Sequence, residues 1–200
     1  MRNRKRAAVT AAVLTALLAG APPAAGATET DRTAPRGGDT SPAPLRGAVR
    51  ATPGPATDRA AALAAHIVNN GSGKCLAVPG GSKEKGTGLI QWGCDGWADH
   101  YWSVDPWTID GVLHYRVINY NSQQCLAVPG GSKTPGTQVI QWPCGEWDDH
   151  FWRFDDAGGG RFKLVNYNSQ QCLAVENGSG ADGAKAIQWP CGTWPDHFWR

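Results

Sequence analysis

Past its first thirty residues, this 200-residue chain has no apolar run long enough to span a bilayer, so no helical membrane crossing is expected there. No segment is dense in Lys or Arg, so nothing can form the basic stripe that neutralises phosphates, and nucleic acid is not an expected partner. There is no C-x-x-C knuckle to hold zinc and no G-x-S-x-G elbow to present a serine nucleophile. The carboxylate pairs Asp148-Asp149 and Asp155-Asp156 are adjacent in sequence, whereas glycosidase carboxylates flank a scissile bond. No stretch carries a convincing helical pattern. The expectation is therefore a non-enzyme that needs no cofactor and no metal.

The formal net charge of +2 misleads, because the basic excess lies in the first six residues. From His66 to Arg200 thirteen acidic residues stand against ten basic ones. The basic run Met1 to Arg6, the apolar stretch Ala7 to Leu18 and the A-x-A site at Ala25-Gly26-Ala27 read as a secretory signal peptide over 1–27. The apolar stretch is too short for a comfortable membrane anchor. A secreted, extracellular product is expected. Residues 28–64 are rich in Pro, Ala, Gly, Thr and Arg, bury too little apolar surface to offset their ordering entropy, and read as a disordered linker.

What the chain has is a repeat. Cys75 to Trp102, Cys125 to Trp152 and Cys172 to Trp199 align without gaps, each with a second cysteine 19 residues after the first and a His-x-Trp ending. The copies start 50 and then 47 residues apart. A fixed period of this kind sets the architecture before any single residue does. Six cysteines in a secreted chain call for disulfides, and one pair per unit selects Cys75–Cys94, Cys125–Cys144 and Cys172–Cys191. Each closes a loop worth roughly 3 kcal/mol in the chain-entropy model. The competing use, zinc held by the Cys, His and Asp of each unit, is disfavoured by export.

Each unit reads as four short strands. The first starts at His66, Tyr115 or Phe162 and stops at an Asn-rich turn. Cys-Leu-Ala-Val, Ile-Gln-Trp and the run opened by the last tryptophan supply the others, and Pro79-Gly80-Gly81 and its counterparts make the turns. About twelve strands must close on themselves or leave exposed edges, and three equal units close best as a pseudo-threefold barrel. Leu76, Ile90 and Trp102, with their counterparts, are the expected core positions. The last unit ends at Arg200, so its closing strand is expected to be short or to pair with the strand at His66.

Cys-Leu-x-Val, then Gly-Gly-Ser, then an aromatic before the second cysteine and a terminal aromatic signature together resemble the ricin B-type lectin domain, a β-trefoil family. The resemblance covers residues 65–200, with repeats at about 65–113, 114–160 and 161–200. It implies an all-β trefoil and a carbohydrate-binding module. Two departures stand out. The family's Gln-x-Trp is His-x-Trp here, and the aspartate of its sugar-binding Cys-Leu-Asp-Val is Ala77, Ala127 and Ala174.

The resemblance puts Trp92, Trp142 and Trp189 at the family's sugar-stacking position, where each could equally shield its disulfide. Asp99-His100, Asp149-His150 and Asp196-His197 replace the family's Asn-Gln pair. They offer acceptors and donors for hydroxyls, or else a turn cap and a structural imidazole. Trp97, Trp147 and Trp194 sit in the loop after the second cysteine and are candidates for a second aromatic wall, or for a lid over that loop. Multivalent weak binding of a monomer to an extracellular or cell-wall polysaccharide is the expected function. The alternative is a protein-binding trefoil, an inhibitor or assembly module, which the lost aspartates favour and the near-identity of the three units disfavours.

Overall fold

The computed structural model describes residues 48–50 and 64–200. The signal peptide expected over 1–27 lies outside the described residues, as does the linker apart from residues 48–50 and Ala64. Among the described residues there are twelve strands and no α-helix, and no helix is long and apolar enough to cross a membrane.

β1 (Val49–Arg50) comes first. The first unit holds β2 (Ala65–His66), β3 (Cys75–Ala77), β4 (Ile90–Trp92) and β5 (Tyr101–Ile109). The second holds β6 (Val112–Asn119), β7 (Cys125–Ala127), β8 (Ile140–Trp142) and β9 (Trp152–Gly158). The third holds β10 (Arg161–Asn166), β11 (Cys172–Val175) and β12 (Ala186–Trp189). Its fourth strand is reduced to the C-terminal pair. Trp199 bridges both Asn69 and Phe162, and Arg200 exchanges backbone hydrogen bonds of 2.9 Å with Val68. The short closure expected from the sequence is therefore present.

β5–β6 and β9–β10 are long antiparallel hairpins that form the barrel wall. The first turns at Asp110-Gly111, both with positive φ, which suits the right-handed twist of the flanking strands. The short hairpins β3–β4, β7–β8 and β11–β12 cover one end. They meet in a closed ring of backbone bonds, Leu89 to Val139, Val139 to Ala186 and Ala186 to Leu89, at 2.9, 3.0 and 3.0 Å. The ring marks the pseudo-threefold axis of a β-trefoil.

The core gathers around it. Leu76, Leu126 and Leu173 are fully buried, as are Trp152 and Trp199, with Trp102 nearly so. Each of these tryptophans donates its indole N–H to the carbonyl of the leucine in its own unit, at 2.9–3.0 Å. The isoleucine positions differ from expectation. The core residues are Leu89, Val139 and Ala186, one position earlier, while Ile90 and Ile140 are only half-buried and Ile187, though buried, faces a surface cleft. Side chains alternate along a strand, so the residue committed to the axial ring sends its successor to the other face.

All three disulfides pair as the repeat indicated, and the six sulfurs are thereby unavailable as thiolate ligands. One feature outside the repeat joins the first unit. β1 pairs with β5 through Val49–Thr108 and Arg50–Trp107. Arg50 bonds the buried Asp105 at 2.8–2.9 Å, alongside Arg116 and the Trp107 indole. The stretch expected to be a linker thus carries a paired segment.

Candidate functional site

The first and third units each build a surface cleft from three pieces, and the first shows them most fully. Ala77 to Gly81 supply one side, Ile90 and Trp92 of β4 the floor, and Trp97, Asp99 and His100 the far wall of a cleft of about 490 Å³. The third unit repeats it with Ala174 to Gly178, Ile187, Trp189, Trp194, Asp196 and His197, at about 440 Å³. Thus Trp92, Trp97, Asp99 and His100, singled out separately in the sequence, share one cavity, and so do Trp189, Trp194, Asp196 and His197. In the second unit Trp142, Asp149 and His150 occupy the same elements, with Asp149 and His150 buried.

The register explains the floor. β3 aligns Cys75 with Trp92 and Ala77 with Ile90, so Leu89 and Gln91 point into the barrel while Ile90 and Trp92 point out. Trp92 and Trp189 remain 44% and 41% exposed, and Trp142 is half-buried. Each tryptophan neighbours its disulfide in the ladder and still presents a ring to solvent.

Sequence reasoning missed that each cleft borrows a piece of another unit. Gln91, Gln141 and Gln188 are fully buried. Each donates its side-chain amide to two carbonyls of another unit's loop. The acceptors are Ser179 and Ala181 for Gln91, Ser82 and Glu84 for Gln141, and Ser132 and Thr134 for Gln188, at 2.6–3.0 Å. The loop so held ends in Gly183, Gly86 or Gly136, set against the six-membered ring of Trp92, Trp142 or Trp189. A Cβ at these glycines would stand 3.8, 3.4 or 3.5 Å from that ring, and φ of 80–82° favours glycine there in any case. Asn121 of the second unit also donates to the Gly81 carbonyl at the rim of the first cleft, at 2.8 Å. The signal was the Gln preceding every repeated Trp, which an outward-facing strand would not have required.

The Asp-His pairs sit on single 3-10 turns, Ala98–His100, Asp148–His150 and Pro195–His197. Each histidine is 2–4% exposed. Its Nδ1 accepts from a backbone N–H five residues back (Asp95, Gly145 or Gly192) at 3.2–3.4 Å. A neutral ring that accepts at Nδ1 carries its proton on Nε2. That Nε2 faces the preceding aspartate, 3.6–3.8 Å from Oδ2. The imidazole therefore holds its loop, the structural role expected of it, and keeps an Nε2 donor toward the aspartate. Burial pushes the Asp149 carboxyl up to about 6, against the pull of the backbone N–H groups of Asp149 and Val128. Burial likewise pushes His150 down to about 4, aided by the charge of Arg116, and lowers His197.

The loop tryptophans divide by the residue two positions earlier. Trp147 and Trp194 lie back over Gly145 and Gly192, where a Cβ would fall 2.0 Å from the ring. They pack on His150 and His197 with ring centroids 5.0 and 5.2 Å apart. In the first unit Asp95 occupies that place; Trp97 is 63% exposed and Trp194 57%, while Trp147 is half-buried. Trp97 and Trp194 both line their clefts.

Comparison with known proteins agrees with this geometry. Among solved structures, a designed threefold-symmetric protein, ThreeFoil, is 32% identical, with a TM-score of 0.64 over 68% of this chain and 94% of that one. An exo-β-1,3-galactanase from Clostridium thermocellum is 26% identical, with a TM-score of 0.65 over 70% of this chain but only 30% of the enzyme. The hemolytic lectin CEL-III shares the fold at 23% identity and a TM-score of 0.55, over 69% of this chain and 29% of that one. No curated protein matches the chain in sequence. Two overlapping segments, residues 59–142 and 102–189, match the model of the ricin-type β-trefoil lectin domain-like family, and the chain belongs to that family.

Proposed function

We propose that this protein is a secreted, non-catalytic carbohydrate-binding module that holds an extracellular or cell-wall polysaccharide through up to three weak clefts. The observation that carries the reading is the cleft itself, in which a part-exposed tryptophan shares a cavity with a buried histidine and the aspartate before it, buried at Asp99 and half-buried at Asp196. A sugar ring stacks its C–H face on an aromatic face, and its hydroxyls need polar partners at the edge. The gap of 3.6–3.8 Å between Nε2 and Oδ2 is too long for a direct hydrogen bond. A hydroxyl seated between them accepts from the Nε2 proton and donates to the carboxylate, which satisfies both groups at once. The aspartate of each pair thereby replaces the carboxylate missing at Ala77, Ala127 and Ala174.

The galactanase supports a role as an appended module, since the matched part is under a third of that enzyme. Its name makes β-1,3-galactan a first probe. The test is titration of the oxidised protein with that polymer and with neutral, acidic and amino sugars, followed by tryptophan fluorescence. Saturable quenching that free sugar competes away is the expected result. A clean negative across the series overturns the reading and turns the search to protein partners.

A further inference from the structure

The three units share a plan around Trp92, Trp142 and Trp189, but the loop each borrows differs at one position. Immediately before the glycine that meets the cleft tryptophan stands Asp182 for Trp92, Lys85 for Trp142 and Pro135 for Trp189. Asp182 is already compensated, accepting from Lys74 Nζ at 2.6 Å and from the Gly93 N–H at 2.8 Å. Pro135 carries no charge. The Lys85 ammonium lies 5.2 Å from the centroid of the Trp142 ring, and no carboxylate among the described residues pairs with it. Trp142 is also the least exposed of these three tryptophans.

We infer that Lys85 is a specificity-determining residue that makes the second cleft prefer acidic sugars to their neutral counterparts. The inference rests on the sugar-binding reading. A neutral sugar approaching Trp142 competes with a cation already attracted to the ring. A uronate instead brings a counter-ion for that cation, and a charge-assisted hydrogen bond is roughly twice as strong as a neutral one. Asp148 and Asp149 repel an anion, but they belong to the 148–150 turn and not to the loop that carries Lys85. The sugar carboxylate therefore seats at the Lys85 end, with the hydroxyls toward Asp149. Lys163 acts on His197 in the wall of the third cleft but stacks on Phe198, and among the described residues no cation lies over Trp92 or Trp189, so the preference at the tryptophan is confined to the second unit.

The experiment is a site-resolved titration of the isotope-labelled full chain. The indole N–H signals of Trp92, Trp142 and Trp189 are followed against galactose and galacturonate, which differ only at C6. Trp142 is expected to respond to galacturonate at a concentration about two- to fivefold lower than to galactose, the scale of an exposed cation–π contact. Trp92 and Trp189 should treat the two sugars alike. Lys85→Gln should erase the preference at Trp142, and Pro135→Lys should create one at Trp189. Equal responses of Trp142 to both sugars, or a preference that survives Lys85→Gln, overturn the inference and leave the sugar-binding reading intact. If neither sugar moves any of the three indoles, both fall together, and the silence of Trp92 and Trp189 identifies that case.

Discussion

Asp149 and His150 are buried side by side and titrate in opposite senses. The carboxyl is raised to about 6, so its stabilising contribution is complete below its unfolded value of 3.8 and is lost as pH rises through 6. The imidazole is lowered to about 4, so its contribution is complete above 6.5 and is lost as pH falls through 4. Between pH 4 and 6.5 the two slopes oppose one another. Asp149→Asn removes the first and leaves the second. Thermal melts should show the variant above the parent at pH 7.5, by an amount on the order of 2 kcal/mol, with the gain shrinking to nothing near pH 4. A variant less stable than the parent at pH 7.5 would mean that the carboxylate bonds outweigh its burial, and the residue would then be a structural cap. The functional counterpart uses all three units. Asp99→Ala, Asp149→Ala and Asp196→Ala combined should abolish sugar binding without lowering the melting temperature by more than a few degrees. Loss of fold together with binding would assign these residues to structure alone.

At the scale of elements, the barrel is joined by side chains that tie one turn to another. Asn69, Asn119 and Asn166 are fully buried. Each accepts two backbone N–H bonds within its own turn and donates to the carbonyl of Asp196, Asp99 or Asp149 on an Asp-His turn, at 2.7–2.8 Å. Asn166→Ala strands several buried partners and should cost about 2–4 kcal/mol in denaturant unfolding, whereas Asn70→Ala next to its counterpart should cost almost nothing. Deleting Trp199 and Arg200 removes a fully buried indole and the backbone bonds to Val68. Loss of a core tryptophan side chain alone costs about 3–5 kcal/mol, much of a typical domain's stability. The truncated chain should not melt cooperatively at 37 °C, and a full-height transition would refute closure through the terminus. What the sequence made legible at this scale follows from period and chemistry. Cys-Leu-Ala and the final Trp were placed correctly because the disulfide spacing and the repeat fix them. Ile90 was misplaced because Leu89-Ile90 offers two adjacent apolar residues, and alternation alone does not say which faces inward. In the third unit the inward residue is Ala186, smaller than Ile187, so side-chain size also pointed the wrong way. Parity is set by the axial ring of Leu89, Val139 and Ala186, a contact among three units that no single strand records. The pairing of Val49–Arg50 was hidden for a similar reason, since it depends on the β5 edge and on Asp105 far along the chain.

For the whole molecule, the same borrowing that closes the trefoil spreads the clefts around its axis, each made of one unit and a loop of another. On the proposed reading, one body carries up to three separate grips. On that reading free sugar engages each cleft alone, whereas a polymer long enough to reach two converts the second contact into an intramolecular one. This separates two observables in a series built from Trp92→Ala, Trp142→Ala and Trp189→Ala. Free-sugar affinity per remaining cleft should stay constant while the number of sites falls. Apparent affinity for polysaccharide should instead drop by about tenfold or more at each step from three clefts to two and from two to one, within the roughly 10²–10⁴ gain that linked sites provide. Binding to immobilised polymer measures the second quantity and calorimetry with free sugar the first. Each tryptophan is part-exposed and outside the core cluster, so the variants should keep the cooperative melt of the parent. A polymer affinity that falls only in proportion to site number would show that the clefts act one at a time, and the threefold plan would then serve stability and not avidity.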